Sequence, residues 1–254
     1  MLTDLLSVDI YRFFLVFTRL GAAMMLLPGI GGTLVSVRIR LLLALSIAFL
    51  LLPLAGPVLP PLPREPSRLV VLVISEATIG VFLGIIVQVL MSAINVTGTF
   101  IGFQVGLTNA FSFDPIAQQQ SQLLTGFMSN LAMVLVFASD LHHLMLRALV
   151  DSYGLFPPGQ PLPLGDFAET LSHTMTQSFR MGIQLAAPLV VFGLVFYSGL
   201  GVLSRLVPQM QVFFVAMPIQ TLVGLWLLMV ALPGIMLVYL RWFADGLLPY
   251  VTPR

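Results

Sequence analysis

Few residues of this 254-residue chain have a type and spacing that could do chemistry. The most demanding are three charged groups inside apolar stretches: Arg12, Arg19 and Glu76. An ionised group in such a segment is costly, so it pairs, snorkels to an interface or faces water. Arg12 and Arg19 are seven residues apart and share one helix face. Arg12 suits snorkelling. Arg19 lies deeper, where it either snorkels or, the better fit, pairs with a protein partner, Glu76 or an acid of another chain. Glu76, in Leu72-Val73-Ile74-Ser75-Glu76, either pairs with a buried Arg or lines a conduit; the plainer alternative sets it one or two turns from Arg68 at an interface.

The other candidates offer less. His142 and His143 are adjacent, which on a helix points them to different faces, so with Asp140 they make a poor metal site. His173 stands alone among Ser, Thr and Gln. The absence of cysteine excludes disulfides, thiolate metal sites and cysteine nucleophiles. No phosphate loop, GxSxG or HExxH is present. The expectation is therefore no catalytic residue, no metal and no cofactor. A net charge of +1 gives no electrostatic footprint for nucleic acid. All eleven basic residues are Arg, which reflects either a need for bidentate pairing in partly buried sites or genomic base composition.

The elements that must position these residues follow from the composition. Hydrophobic residues make up 58% of the chain and charged residues 8%, against about 25% charged in a soluble domain. So much apolar surface cannot be hidden in a soluble fold of this length, and lipid or neighbouring subunits must sheathe it. The expected fold is all-α: an integral membrane protein of about six long hydrophobic helices in kinked hairpins, with residues 1–254 forming a single membrane-embedded unit. A span needs about 20 mostly apolar residues. The segments are 10–27, 39–54, 69–93 with a continuation to 105, 126–138 with an extension to 150, 182–206 and 212–240. Asp4 and Asp9 before Arg12 argue against a cleaved signal, so the first segment reads as a retained helix.

Proline and glycine punctuate these segments. Pro28-Gly29-Ile30-Gly31-Gly32 breaks the first helix. Six prolines between Pro53 and Pro66 predict an extended connector, and Pro157, Pro158, Pro161 and Pro163 predict another. With the N-terminus inside, six Arg fall on inner connections and three on outer ones, a weak preference for that orientation. Gly80 and Gly84 form one GxxxG, and Gly98, Gly102 and Gly106 form two more, which clears a helix face for close packing within the chain or against other chains. The stretch from Gly106 through Asn109, Phe111, Phe113, Asp114 and Pro115 to Gln120 combines turn residues with two aromatics. It is either a movable apolar stopper in a conduit, or a loop lying in the interface plane with its aromatics among headgroups.

Several stretches together resemble the FliR family of type III export-gate subunits. They are Met25-Leu-Leu-Pro28-Gly-Ile-Gly-Gly followed by Val37-Arg38-Ile39-Arg40, Glu76 with Gly80 and Gly84, and Gly98, Gly102 and Gly106 leading into Phe113-Asp114-Pro115 and the Gln-rich stretch. Leu141-His142-His143-Leu-Met-Leu-Arg147, continuing to Tyr153, and Gly201-Val-Leu-Ser-Arg205-Leu-Val-Pro208-Gln209-Met210 complete the set. The resemblance spans the chain in order. It departs from the family at Gln211 and Gln220, where Asn and Lys are common, and polar contacts there are expected to differ.

The resemblance implies a FliP-like part fused to a FliQ-like part. It implies one copy assembled with FliP and FliQ, with FlhB and FlhA beside them, in the bacterial inner membrane at the flagellar basal body. The complex would pass unfolded flagellar proteins, with residues 106–120 as a channel plug and Phe111 and Phe113 as its apolar tip. Arg19, Glu76 and Arg205 would be buried-charge or partner contacts, and the assembled helices would sit largely above the membrane plane. The alternatives are the corresponding subunit of a virulence secretion system or, from a different class, a stand-alone secondary transporter. The transporter requires internal pseudo-symmetry and a coupling carboxylate, for which Glu76 is the one candidate.

Overall fold

The structure is a computed structural model that describes residues 2–32, 35–106, 118–206 and 212–251. Among these residues the chain is helical and forms no strand. The helices are α1 (Leu2–Met24), α2 (Val37–Ala55), α3 (Pro66–Gln104), α4 (Gln118–Ala138), α5 (Leu141–Leu155), α6 (Leu164–Leu206) and α7 (Val212–Leu247).

Local chemistry explains the boundaries. After α1 the chain turns at Gly29, whose φ of 81° suits a residue without a β-carbon. The carbonyls of this connection find a donor in Arg40. Its Nε donates to the Ile30 oxygen at 3.0 Å, and one terminal nitrogen donates to Gly32 at 2.6 Å and Val35 at 3.3 Å. Ser36 caps α2, its hydroxyl accepting from the Ile39 amide at 3.4 Å. Pro53 lies inside the last turns of α2, so the proline-rich connector starts later than the prolines themselves suggest. It consists of a 3-10 turn, Gly56–Val58, and then irregular backbone, entered through an extended Leu59, to residue 65. Pro66 opens α3, where its fixed φ fits and its missing N–H is no loss. α6 begins at Leu164, well before the apolar run at 182, with Asp166 in its first turn and Arg205 in its last, both favourable to the helix dipole.

The expected fourth segment is broken in two. Asp140, at φ 58° and ψ 13°, ends one helix and precedes the next, which makes α4 and α5 separate helices. Among the described residues, four helices are long and apolar enough to cross a bilayer, or five if the bent pair counts as one span. α1 is of a different kind, carrying Asp4, Asp9, Arg12 and Arg19.

The chain divides into two compact units. One comprises residues 1–90, 137–175 and 244–254, and the other residues 91–136 and 176–243. In the first, α1 seats on α3. A β-carbon on Gly80 would collide with the Arg19 carbonyl oxygen, and one on Gly84 would lie 2.7 Å from the Leu26 β-carbon. The Phe82 ring stacks on Phe167 with centroids 4.0 Å apart, and Phe156 meets both edge-on. In the second unit, Gly98 presses on the Thr125 α-carbon of α4. Thr97 Oγ1 donates to the Gly182 carbonyl at 3.1 Å, joining α3 to α6, and the Tyr239 hydroxyl donates to Met91 Sδ at 3.0 Å, joining α7 to α3. The glycine faces are therefore used for packing within this chain.

The α1–α3 seat gives a direct test. Gly80→Ala and Gly84→Ala are each expected to lower stability by about 1–3 kcal/mol through forced separation of the helices. Gly234→Ala, where nothing lies within 4 Å of an added β-carbon, should change it little. Thermal unfolding of the detergent-solubilised protein reads the difference.

Candidate functional site

Arg19 of α1 and Glu76 of α3 meet in the first unit, both with no exposed surface. The guanidinium approaches side-on. Nε donates to Oε2 at 2.7 Å and Nη2 to Oε1 at 3.0 Å, the two-pronged geometry that only Arg offers a carboxylate. Nη1 donates to the Ser152 hydroxyl at 3.1 Å, and Nη2 also donates to the Phe156 carbonyl at 2.9 Å. The Tyr153 ring lies under the guanidinium carbon, 4.0 Å from its centroid. Ser152 in turn donates to the Leu149 carbonyl at 2.7 Å. One cation thus ties α1, α3, α5 and the start of the following connection together. It also has partners for four of its five N–H groups. The carboxylate and most of the guanidinium are matched within the chain, while the buried Tyr153 hydroxyl has no hydrogen-bond partner among the described residues.

A second polar knot lies in the other unit at the end of α3. Gln220 of α7, 2% exposed, donates to the Gln104 carbonyl at 2.9 Å and toward the Tyr197 oxygen at 3.0 Å. The Gln104 carbonyl is one of those left open where a helix stops, so α7 supplies the cap. Gly106, at φ 78°, follows in the left-handed conformation typical of a helix terminator, and a β-carbon added to it would lie 3.1 Å from the Gln220 amide carbon.

The remaining sequence candidates are distributed as follows. Gly80, Gly84, Gly98 and Gly102 are buried within their own units. Arg205 is exposed near the end of α6. Asn109, Phe111, Phe113, Asp114 and Pro115 lie outside the described residues. Arg12 is half-buried, with its Nε shielded from solvent and without a hydrogen bond among the described residues. The histidines are placed differently from the sequence expectation. The His142 and His143 rings lie 4.0 Å apart instead of pointing to different faces, and Asp140 is beside them. The roles of Ser152, Tyr153 and Phe156 around Arg19 left no trace in local sequence, because they arise from residues more than 130 positions away.

This arrangement can hold helices and shape surfaces, and comparison with known proteins says whose surfaces they are. The model of the bacterial export proteins, family 1, matches residues 10–246. The chain belongs to that family. It is 40% identical over 231 residues to the flagellar biosynthetic protein FliR of Caulobacter vibrioides, covering 91% of this chain and 92% of that one. It is 29% identical over 235 residues to the protein of the same name from Bacillus subtilis, covering 91% and 90%. With that of Pectobacterium carotovorum it shares 31% over 225 residues, covering 87% and 84%. The matched region of this export-family member includes Arg19, Glu76, Gly106 and Gln220.

Breaking the buried pair should be severe. Glu76→Gln leaves the Arg19 charge without its counter-ion, at a cost of about 3–5 kcal/mol. Arg19→Met with Glu76→Leu removes both charges, and the double variant is expected to be more stable than either single one. A double-mutant cycle on unfolding in detergent measures the coupling, and additive single effects would contradict it.

Proposed function

We propose that this chain is a structural subunit of the flagellar protein export gate and not an enzyme. It would assemble with FliP and FliQ, contact FlhB and FlhA, and lie in the inner membrane at the flagellar basal body. Its work is to form and close a channel for unfolded flagellar proteins. The observation that carries this reading is the 40% identity to a flagellar biosynthetic protein over nine-tenths of both chains.

The helices supply independent support. α7, α3 and α6 contain 36, 39 and 43 residues. At about 1.5 Å per residue they are roughly 54–65 Å long, about twice the 30 Å hydrocarbon core of a bilayer. Exposed apolar side chains nevertheless occur near both ends of the longest two: Val70 and Phe103 on α3, Leu164 and Leu206 on α6. Lipid cannot cover all of that length, so other protein chains must cover part of it. A subunit built into a helical array has that need, and a stand-alone transporter does not.

In this reading the segment 106–120 closes the channel, with Phe111 and Phe113 as its apolar tip, and an arriving substrate displaces it. Gly106 and the Gln220 cap fix the point from which it leaves α3. Arg205, exposed at the end of α6, is available to an acidic partner group.

Co-expression with FliP and FliQ followed by native mass measurement tests the assembly. The expected result is a discrete hetero-oligomer with one copy of this chain, more resistant to unfolding in detergent than the chain alone. A monodisperse single chain that leaves both partners behind would refute the reading. Within an assembled complex, deleting residues 107–120 is expected to raise ion conductance, and an unchanged conductance would remove the plug.

A further inference from the structure

The turn before α5 brings together three groups that the buried clasp and the channel reading do not use. Asp140 occupies the left-handed region immediately ahead of α5. The ligand atoms of Asp140, His142 and His143 all lie within 4.8 Å of one another. His143 Nδ1 and Asp140 Oδ1 are 3.4 Å apart. Two ligands held at about 2.1 Å by a tetrahedral ion are about 3.4 Å from each other, so this pair already has the spacing of a coordination edge. His142 is fixed on its other side. Its ring stacks on Phe137 with centroids 5.0 Å apart, and Phe137 in turn packs on Gly29, where a β-carbon would collide with it. Its Nδ1 is buried and has no hydrogen-bond partner among the described residues. Asp140 and His143 are largely exposed, so an ion can reach the site from water.

We infer that Asp140, His142 and His143 form a binding site for a divalent transition-metal ion. Two imidazoles and one carboxylate suit zinc, nickel or cobalt, and are a poor set for magnesium or calcium, which prefer all-oxygen shells. The amide end of α5 by itself disfavours a cation, and the Asp140 carboxylate offsets that field. Three protein ligands leave a fourth tetrahedral position for water. The role of the ion is structural. It pins the left-handed turn to the first turn of α5, and through His142 and Phe137 it fixes that corner against the Gly29 connection. The inference does not depend on the export reading, because it rests on the corner's own geometry.

The test is metal titration of the full chain, purified in detergent or within its co-expressed complex after chelator treatment. Zinc is expected to bind at one equivalent per chain. Cobalt is expected to give the visible absorption of a tetrahedral nitrogen–oxygen site. Asp140→Asn, His142→Gln and His143→Gln should each weaken binding at least about tenfold, since even changes outside the ligand set cost that much. His173→Gln, on α6 and outside the triad, should bind as the parent does. Hydrogen exchange at residues 138–146 should slow with zinc in the parent and not in His143→Gln, whose elution profile and helicity confirm folding. Binding that persists in His143→Gln, or that does not saturate at one equivalent, would overturn the site.

Discussion

The Arg19–Glu76 pair is the interaction from which the first unit is arranged. A chain with this little charge has almost no polar surface with which to specify how its helices meet, because one apolar face packs on another in many registers. A buried guanidinium and carboxylate remove that freedom, since both suffer a heavy desolvation penalty anywhere except opposite each other. The pair also dictates what surrounds it. Glu76, Gly80 and Gly84 are spaced four apart and lie along one face of α3. The residue whose side chain binds Glu76 is the same one whose carbonyl rests on Gly80. A larger residue at position 80 would hold α1 away and stretch the ion pair, so the glycine spacing and the buried charges are parts of one device. The Ser152 hydroxyl and the Phe156 carbonyl accept two further N–H groups and the Tyr153 ring lies under the guanidinium, which recruits α5 to the same point.

The sparse polar interior contrasts with the outside. Polar groups in the described interior are few and mostly matched, while large apolar side chains are exposed along nearly every helix: Phe49 and Leu50 on α2, Leu194 and Val195 on α6, Trp226 and Met229 on α7. A membrane accounts for a band of such residues about 30 Å high. Helices of roughly twice that length carry more than the band can take. In the proposed export-gate reading, neighbouring chains cover the remainder.

Much of this was legible in the sequence, and the failures have physical reasons. Apolar runs gave the helices, and proline and glycine gave their breaks, because both act within a few residues. The start of α6 was missed by some 18 residues: positions 164–181 include Asp166, Glu169, His173, Gln177 and Arg180, and hydropathy registers greasiness and not helicity. The division of α4 from α5 was hidden because a left-handed Asp140 interrupts the backbone without interrupting the apolar pattern. Glu76 was recognisable as a partner for Arg19 from the cost of burying either alone, whereas Ser152 and Tyr153 required the tertiary fold. The histidine geometry was misjudged for a specific reason. Neighbours diverge inside a helix, but Asp140 stands ahead of the first turn and the rings of His142 and His143 tilt together at its edge.

The end of α3 shows how a residue distant in sequence can terminate a helix. A helix of 39 residues must stop abruptly if the chain is to leave it in a defined direction, and its last carbonyls then need donors. One donor here comes from α7, where the Gln220 amide reaches the Gln104 carbonyl and the Tyr197 oxygen. A lysine at this position could also donate to that carbonyl, but it would bring a charge to a place only 2% exposed, and would need a carboxylate that the described surroundings do not place beside Gln220. The neutral amide meets the same requirement without the charge. Gly106 completes the stop, because its φ of 78° is open to glycine at little cost and an added β-carbon would lie 3.1 Å from the Gln220 side chain. The last carbonyls of α3 are therefore capped by a residue more than 100 positions downstream.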